Sequence, residues 1–267
     1  MKRNGNLGSI SGMRVSRLLT VATLNLPTEE KRRLAKDVRK TVFPSFPIQP
    51  MLRFYLRPGN KIVFYGMTGY PSSLEELENP PFLLSYSERL PEPDDRIIAL
   101  AGSRRCDYKG LRGAYHLGKT LAEMGFTLLV SNSHGFDRWV RLGAQSANTR
   151  SFVLCDCGLG TKRITTNRSL QGECLISPFL PYEEASPQTC LSRNVLTAAL
   201  SSAVIIGQAP KRSGALHVAG CALDLGKDVF VHRSGIGNRP NQEGSLFLHQ
   251  SGAPIVSGDD LDQPVMV

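Results

Sequence analysis

At 267 residues with 41% hydrophobic side chains, the chain can bury one large core and a smaller second body. No run of eighteen apolar residues exists to cross a membrane, and no apolar segment follows Lys2 and Arg3 as in a secretory leader; a cytoplasmic protein is expected. The net charge of +9 is unevenly placed, because residues 1–60 carry 12 Lys/Arg against 3 Asp/Glu while residues 61–267 carry 20 of each. That pattern reads as a basic N-terminal arm, either a polyanion contact or a solvated leader, beside a neutral domain.

Residues 1–27 read as unstructured, with Met13 as an alternative start. Thr28 as N-cap, with Glu29 and Glu30 behind it and Lys36, Arg39 and Lys40 at the far end, predicts one short helix over 29–41. Pro44, Pro47 and Pro50 then predict a linker, so the expected division is an arm over 1–60 and a domain over 61–267. An edge strand is expected at 61–65, a turn and short helix after Tyr70-Pro71, and a brief extended piece at 82–85. Beyond residue 95 the pattern alternates. Strands are expected near 96–101, 126–131, 151–155, 174–177, 203–206, 228–231 and 254–256. Helices are expected near 108–124, 137–147, 166–171, 190–200, 213–225 and 243–250. Continuous apolar strands alternating with helices predict an α/β, Rossmann-like parallel sheet covered on both faces.

Ligands of such sheets bind at the carboxyl ends of the strands. Three polar turns or helix starts fall at such ends: Gly102-Ser103-Arg104, Ser192-Arg193-Asn194, and Lys211-Arg212-Ser213-Gly214. Each joins small or hydroxyl residues to a cation, the composition that suits a phosphate at a helix N-terminus. The alternative use of Arg104 and Arg193 is to pin loops by pairing with Asp137 or other carboxylates. Gly113-x-x-x-x-Gly118-Lys119-Thr120 satisfies the P-loop expression, but Leu111, Ala114, Tyr115, Leu121 and Ala122 keep helical spacing straight through it, and no ATPase is expected. His134 lacks a nucleophile motif around it. The nucleophile elbow, the zinc-protease His pair and the dinucleotide fingerprint are all missing from the sequence. Cys155 and Cys157 lack a second pair, so neither a metal nor a cofactor is expected, and the six cysteines read as cytosolic thiols.

In order and spacing these segments resemble the DNA-processing protein A (DprA/Smf) family over roughly 62–257. Tyr70-Pro71-x-x-Leu74 with Pro80-Pro81, Ile98 to Arg104, and Tyr108-x-Gly110 carry the first part of the resemblance. Ser131 to Asp137, Gly158-Leu159, Arg193-Asn194, Ser213 to Leu216, Gly226 to Phe230 and Gly244 to Ala253 carry the rest. The chain departs from the family pattern at Asn132 and Gly160, at Pro178, and at Val195 where a second arginine would supply a phosphate donor. It stops soon after Val256, so the winged-helix domain of many members is not expected.

The resemblance implies single-stranded DNA binding without catalysis, a homodimer, and loading of a RecA-type recombinase in DNA uptake by natural transformation. The implied contacts are Arg104, Arg193, Lys211 and Arg212 to phosphates, Ser103 and Ser213 as hydroxyl donors, with Asn194 beside them. Gly102, Gly135 and Gly214 would allow close backbone approach, and Asp137 would orient the site. The competing readings are a nucleotide-processing enzyme of the phosphoribohydrolase type and a scaffold that no longer binds. Against the enzyme, the helix that would carry its glutamate reads Ser213-Gly214-Ala215-Leu216-His217-Val218.

Overall fold

The computed structural model describes residues 12–37, 42, 44–45 and 47–257. In chain order the first elements are α1 (Gly12–Ala22), α2 (Thr28–Lys36), α3 (Ile48–Tyr55), β1 (Lys61–Phe64), α4 (Ser72–Glu75) and β2 (Leu83–Tyr86). Then come β3 (Ile97–Ala101), α5 (Tyr108–Glu123), β4 (Thr127–Ser131), α6 (Phe136–Ser146) and β5 (Phe152–Leu154). The chain continues through α7 (Lys162–Thr165), β6 (Cys174–Ser177), α8 (Pro187–Ala199), β7 (Ala203–Ile206), α9 (Gly214–Asp224), β8 (Asp228–His232), α10 (Glu243–Gln250) and β9 (Ile255–Val256). They gather into two compact units, the residues up to Leu90 together with Cys157–Ser186, and Pro91–Asp156 together with the chain from Pro187 on. The boundary expected near residue 60 falls inside the first unit.

In that first unit the expected single helix is three. Residues 12–22 are not unstructured: Val15, Leu18, Leu19 and Ala22 follow the i, i+3, i+4, i+7 spacing of a buried helical face, and Leu19 is fully buried. α2 ends at Lys36, and residues 38–41 lie outside the described ones. Thr28 does not cap it; its hydroxyl donates to the Pro80 carbonyl and its amide to Asn79 Oδ1 at 3.3 Å. The prolines do not make a simple linker either, since Pro47 precedes α3 and Pro50 sits in its first turn, where a missing N–H leaves no bond unmade. β1 and β6 both pair antiparallel with β2. The Tyr70…Pro80-Pro81 segment is a latch, in which the buried Tyr70 donates its hydroxyl to the Pro81 carbonyl at 2.7 Å. The helix expected at 166–171 is α7 and a short 3-10 turn, Arg168–Leu170.

The second unit holds the parallel sheet, in the order β5-β4-β3-β7-β8-β9. Ile98 to Leu100, Leu128 to Val130 and Val204 to Ile206 are buried on both faces, as continuous apolar strands require. The chain leaves β3 toward β4 and β5, then returns to β7 on the other side of β3. That reversal opens a crevice at the carboxyl ends of β3 and β7.

Candidate nucleic-acid interface

Two short segments form one wall of this crevice. After β3 the chain turns through Gly102 and Ser103. After β4 it turns through Ser131 to Gly135 and enters α6. One carboxylate joins them: Asp137, in the first turn of α6, accepts the Gly102 amide at 3.3 Å, the Ser131 amide at 3.2 Å and the Ser131 hydroxyl. Burial pushes the Asp137 carboxyl above its usual range, opposed by the Ser131 hydroxyl and by the charges of Arg193 and Arg141. Beneath it the Phe136 ring fills a slot left by two glycines. A Cβ at Gly102 would stand 2.4 Å from this ring, and one at Gly207 would stand 2.1 Å from it. Gly135 has φ +71°, and a Cβ there would lie 2.5 Å from the Ser103 carbonyl oxygen, so only glycine makes this turn.

The opposite wall comes from α8 and the start of α9. Arg193 is only 6% exposed; its Nε donates to Asn194 Oδ1 at 3.1 Å, and its Nη1 finds no hydrogen-bond partner among the described residues. A buried guanidinium with an unmatched N–H is costly, and an anion would satisfy it. Asn194 is fixed in turn by its amide nitrogen, which donates to the Gly214 carbonyl at 3.3 Å. Ser213 caps α9, its hydroxyl accepting the Leu216 amide at 3.3 Å. Ser213, Gly214 and Ala215 at the start of α9 line the same cavity as Arg193, and a helix N-terminus is an anion-favouring end.

Between these walls lies a cavity of about 520 Å³, lined by Gly102 to Arg105, Ser131, Ser133 and Asp137 on one side. Cys190, Arg193, Asn194, Ser213, Gly214, Pro240 and Asn241 are among the residues of the other. The segment bearing Pro240 and Asn241 is tied down through Asp107 and Gln208. Arg239 Nη1 meets Asp107 Oδ2 at 2.6 Å, Asn241 donates to Gln208 Oε1 at 2.8 Å, and Gln208 Nε2 donates to Asp107 Oδ1 at 2.8 Å. Asp107 also caps α5 by accepting the Gly110 amide at 2.8 Å. Its carboxyl is held below the usual range: slight burial opposes this, but the Gly110, Gln208 and Arg239 bonds outweigh it.

Seven of the ten residues singled out in the sequence therefore border one cavity: Gly102, Ser103, Arg104, Arg193, Asn194, Ser213 and Gly214. Gly135, Lys211 and Arg212 do not line it. Gly135 shapes the turn from below, Lys211 is exposed and 4.0 Å from Glu243, and Arg212 is an exposed turn residue at φ +55°. The alternative pairing of Arg193 with Asp137 is present only as a charge interaction, without a hydrogen bond between them. Sequence reasoning passed over Arg105, Cys190, Pro240 and Asn241. Arg105 adjoins Arg104 and could have been read with it; the others are brought in by tertiary contacts.

Cys190, which lines the cavity, and Cys106, which donates its thiol to the Ser103 carbonyl, are not poised nucleophiles. Burial and Asp137 push the Cys106 thiol up to about 12, and burial with the nearby Asp156 pushes Cys190 upward. His134 is exposed and outside the lining. The P-loop match lies within α5, where Lys119 pairs with Glu123 at 3.6 Å. Asn132, which departs from the glycine that the resemblance implies, is buried and donates to Asp156 Oδ1 at 3.1 Å, a structural tie. Among the described residues no group of three or more His, Cys, Asp or Glu could hold a metal, and no helix is long and apolar enough to cross a membrane.

The sequence profile of the DNA recombination-mediator protein A family matches residues 61–263. Protein Smf of Borreliella burgdorferi is 29% identical over 199 residues, 72% of this chain and 62% of that protein. Protein Smf of Escherichia coli is 28% identical over 221 residues, 80% of this chain and 59% of its own length. The chain thus spans about six tenths of these relatives. Among solved structures, DNA processing protein A of Streptococcus pneumoniae superposes with a TM-score of 0.70 at 21% identity, over 94% of this chain and 93% of that one. DNA processing protein A of Helicobacter pylori, solved for its single-stranded DNA binding mode, gives 0.62 at 24% identity over 73% and 90%. These likenesses establish the fold.

Proposed function

Because the chain belongs to the DNA recombination-mediator protein A family, we propose that the β3–β7 crevice binds single-stranded DNA by its phosphates and catalyses nothing. The observation that carries this reading is Arg193, buried with an unmatched Nη1 at a cavity that also receives the α9 N-terminus and Arg104. A phosphate there would satisfy Arg193 by a charge-assisted bond and take the α9 amides. Arg104 and Arg105, exposed at the mouth, would hold the next phosphate or lie flat against a base. Arg193, Asn194, Ser213 and Gly214 form the inner contact, and Gly102 and Ser103 the backbone opposite. Lys211 and Arg212 stand farther out and act by long-range charge.

In this reading the protein works in the cytoplasm as a homodimer, protects single strands, and delivers them to a RecA-type recombinase during natural transformation. The absence of catalysis rests on the chemistry of the lining: a raised Cys190 thiol, no glutamate in the first turn of α9, and a buried Asp137 already committed to three hydrogen bonds.

Anisotropy of labelled oligo-dT across a salt series tests the reading. Log affinity should fall with log salt at a slope of about −0.7 per phosphate contacted. Arg104→Ala should weaken binding about tenfold and flatten that slope by about one contact. Equal affinity of wild type and variant at every salt concentration would sink the assignment.

A further inference from the structure

The cavity leaves unused the single tryptophan of the chain, Trp139. It stands on α6, 37% exposed, with the Tyr115 ring of α5 edge-on at 6.5 Å. Tyr115 also meets the His116 ring at 5.6 Å, and Arg112 Nε lies 3.5 Å from His116 Nε2. Nearer the start of α5, Tyr108 is 77% exposed.

Two glycines hold this face together. A Cβ at Gly118 would stand 2.2 Å from the Val140 carbonyl oxygen, and one at Gly143 would stand 2.0 Å from that of Tyr115. The helices therefore touch backbone to backbone, and Tyr115 and Trp139 ride on a fixed frame. Little ordering would be required of them on binding.

The surrounding charge is one-sided. From Arg104 to Leu142 there are seven Lys/Arg and three Asp/Glu; Arg141 is buried and Lys119 is paired, which leaves Arg104, Arg105, Lys109, Arg112 and Arg138 exposed. Asp137 is buried, Asp107 is bonded to Arg239, and Glu123 is paired with Lys119. Single exposed aromatics are ordinary, but aromatics interleaved with cations on two locked helices match the requirements of unpaired bases and their phosphates. Both helices start beside the cavity. α5 follows the Gly102 to Arg105 turn, and α6 begins where the Phe136 amide donates to the Ser103 carbonyl at 3.1 Å.

We propose that the α5–α6 face is a second DNA-binding surface, over which a single strand leaving the cavity runs. A base stacks on Trp139, and Arg112 and Arg138 hold the flanking phosphates. The route rests on the cavity reading above, and its occupant is single-stranded because paired bases offer no open face to stack.

Trp139 reports on its own neighbourhood, so tryptophan fluorescence of the full chain is the readout, titrated with oligo-dT of increasing length. A strand of about four nucleotides, at the low end of single-strand site sizes, should bind the cavity without quenching. Strands of about sixteen should quench and bind more tightly. Trp139→Ala should weaken the long strand about tenfold, the loss expected for one stacked base, and leave the short one unchanged. Trp139→Phe should recover most of the loss. Arg112→Gln with Arg138→Gln should flatten the salt slope by about 1.4 for the long strand alone.

Long-strand binding without quenching, or Trp139→Ala weakening both lengths alike, overturns the second surface while the cavity stands. Short-strand binding that ignores Arg104→Ala, read with Trp139 intact, overturns the cavity and the route with it.

Discussion

Two carboxylates stand beside the crevice, and they are held in opposite ways. Asp137 is buried, joins the ends of β3 and β4, and has its pKa raised by burial. Asp107 lies nearer the surface, ties α5 to the segment carrying Pro240 and Asn241, and has its pKa lowered by its bonds. The first is a fixed strut whose charge is expensive. The second is a clasp whose charge is the source of its grip. The arginines divide the same way: Arg193 is buried with an unmatched nitrogen, whereas Arg239 is exposed and engaged. Charge counting ranks these arginines equally; burial and partnering separate the one with an unmatched nitrogen from the one already engaged.

The contrast can be broken from its heavier side first. Asp137→Asn should cost about 3 kcal/mol, because an amide NH₂ would face the donors of Gly102 or Ser131 and Arg193 would lose its counter-charge. Chemical denaturation reads this, and a loss under 1 kcal/mol would mean the strut is not what joins the strands. Arg193→Met should do the reverse, lowering oligo-dT affinity about a hundredfold while changing stability by about 1 kcal/mol, because removing the unmatched Nη1 offsets the counter-charge that Asp137 loses. A variant that binds normally would show that the unmatched nitrogen faces no ligand.

On the lighter side, Arg239→Ala should cost under about 1 kcal/mol, as expected for an exposed pair. Its pH dependence sharpens the point. A lowered carboxyl contributes stability that is present above the ordinary value of 3.8 and lost as pH falls through the lower folded value. The melting difference between wild type and Arg239→Ala should therefore be steady from pH 7 to pH 5 and shrink below pH 4. A difference that persists at pH 3 would mean Arg239 stabilises by packing instead.

The sheet was legible because buried parallel strands leave no ambiguity: Ile97 to Ala101 and Leu128 to Val130 can be little else. Gly102, Ser103 and Arg104 were legible for the same reason, since a polar turn after such a strand has one place to go. α3 was hidden by Pro50, which reads as a breaker unless the helix start is already known. α1 was hidden by its shortness, six apolar positions interrupted by basic and polar ones. Pro240 and Asn241 carry no local signal, because they reach the cavity only through the bonds of Arg239 and Asn241 to Asp107 and Gln208. Lys211 and Arg212 were misplaced by their neighbours. They share a turn with Ser213 and Gly214, yet that turn faces its cations outward.

The slot under the crevice carries a consequence for how this sequence can change over time. Phe136 occupies the volume that side chains at Gly102 and Gly207 would need, so three positions from three separate segments form one unit of variation. An alanine at either glycine would be tolerated only in a lineage that had first traded Phe136 for a smaller residue. Such a trade would loosen the start of α6, and with it the placement of Asp137. Substitution histories at these positions should therefore be correlated, and intermediates carrying one change without the other should be rare.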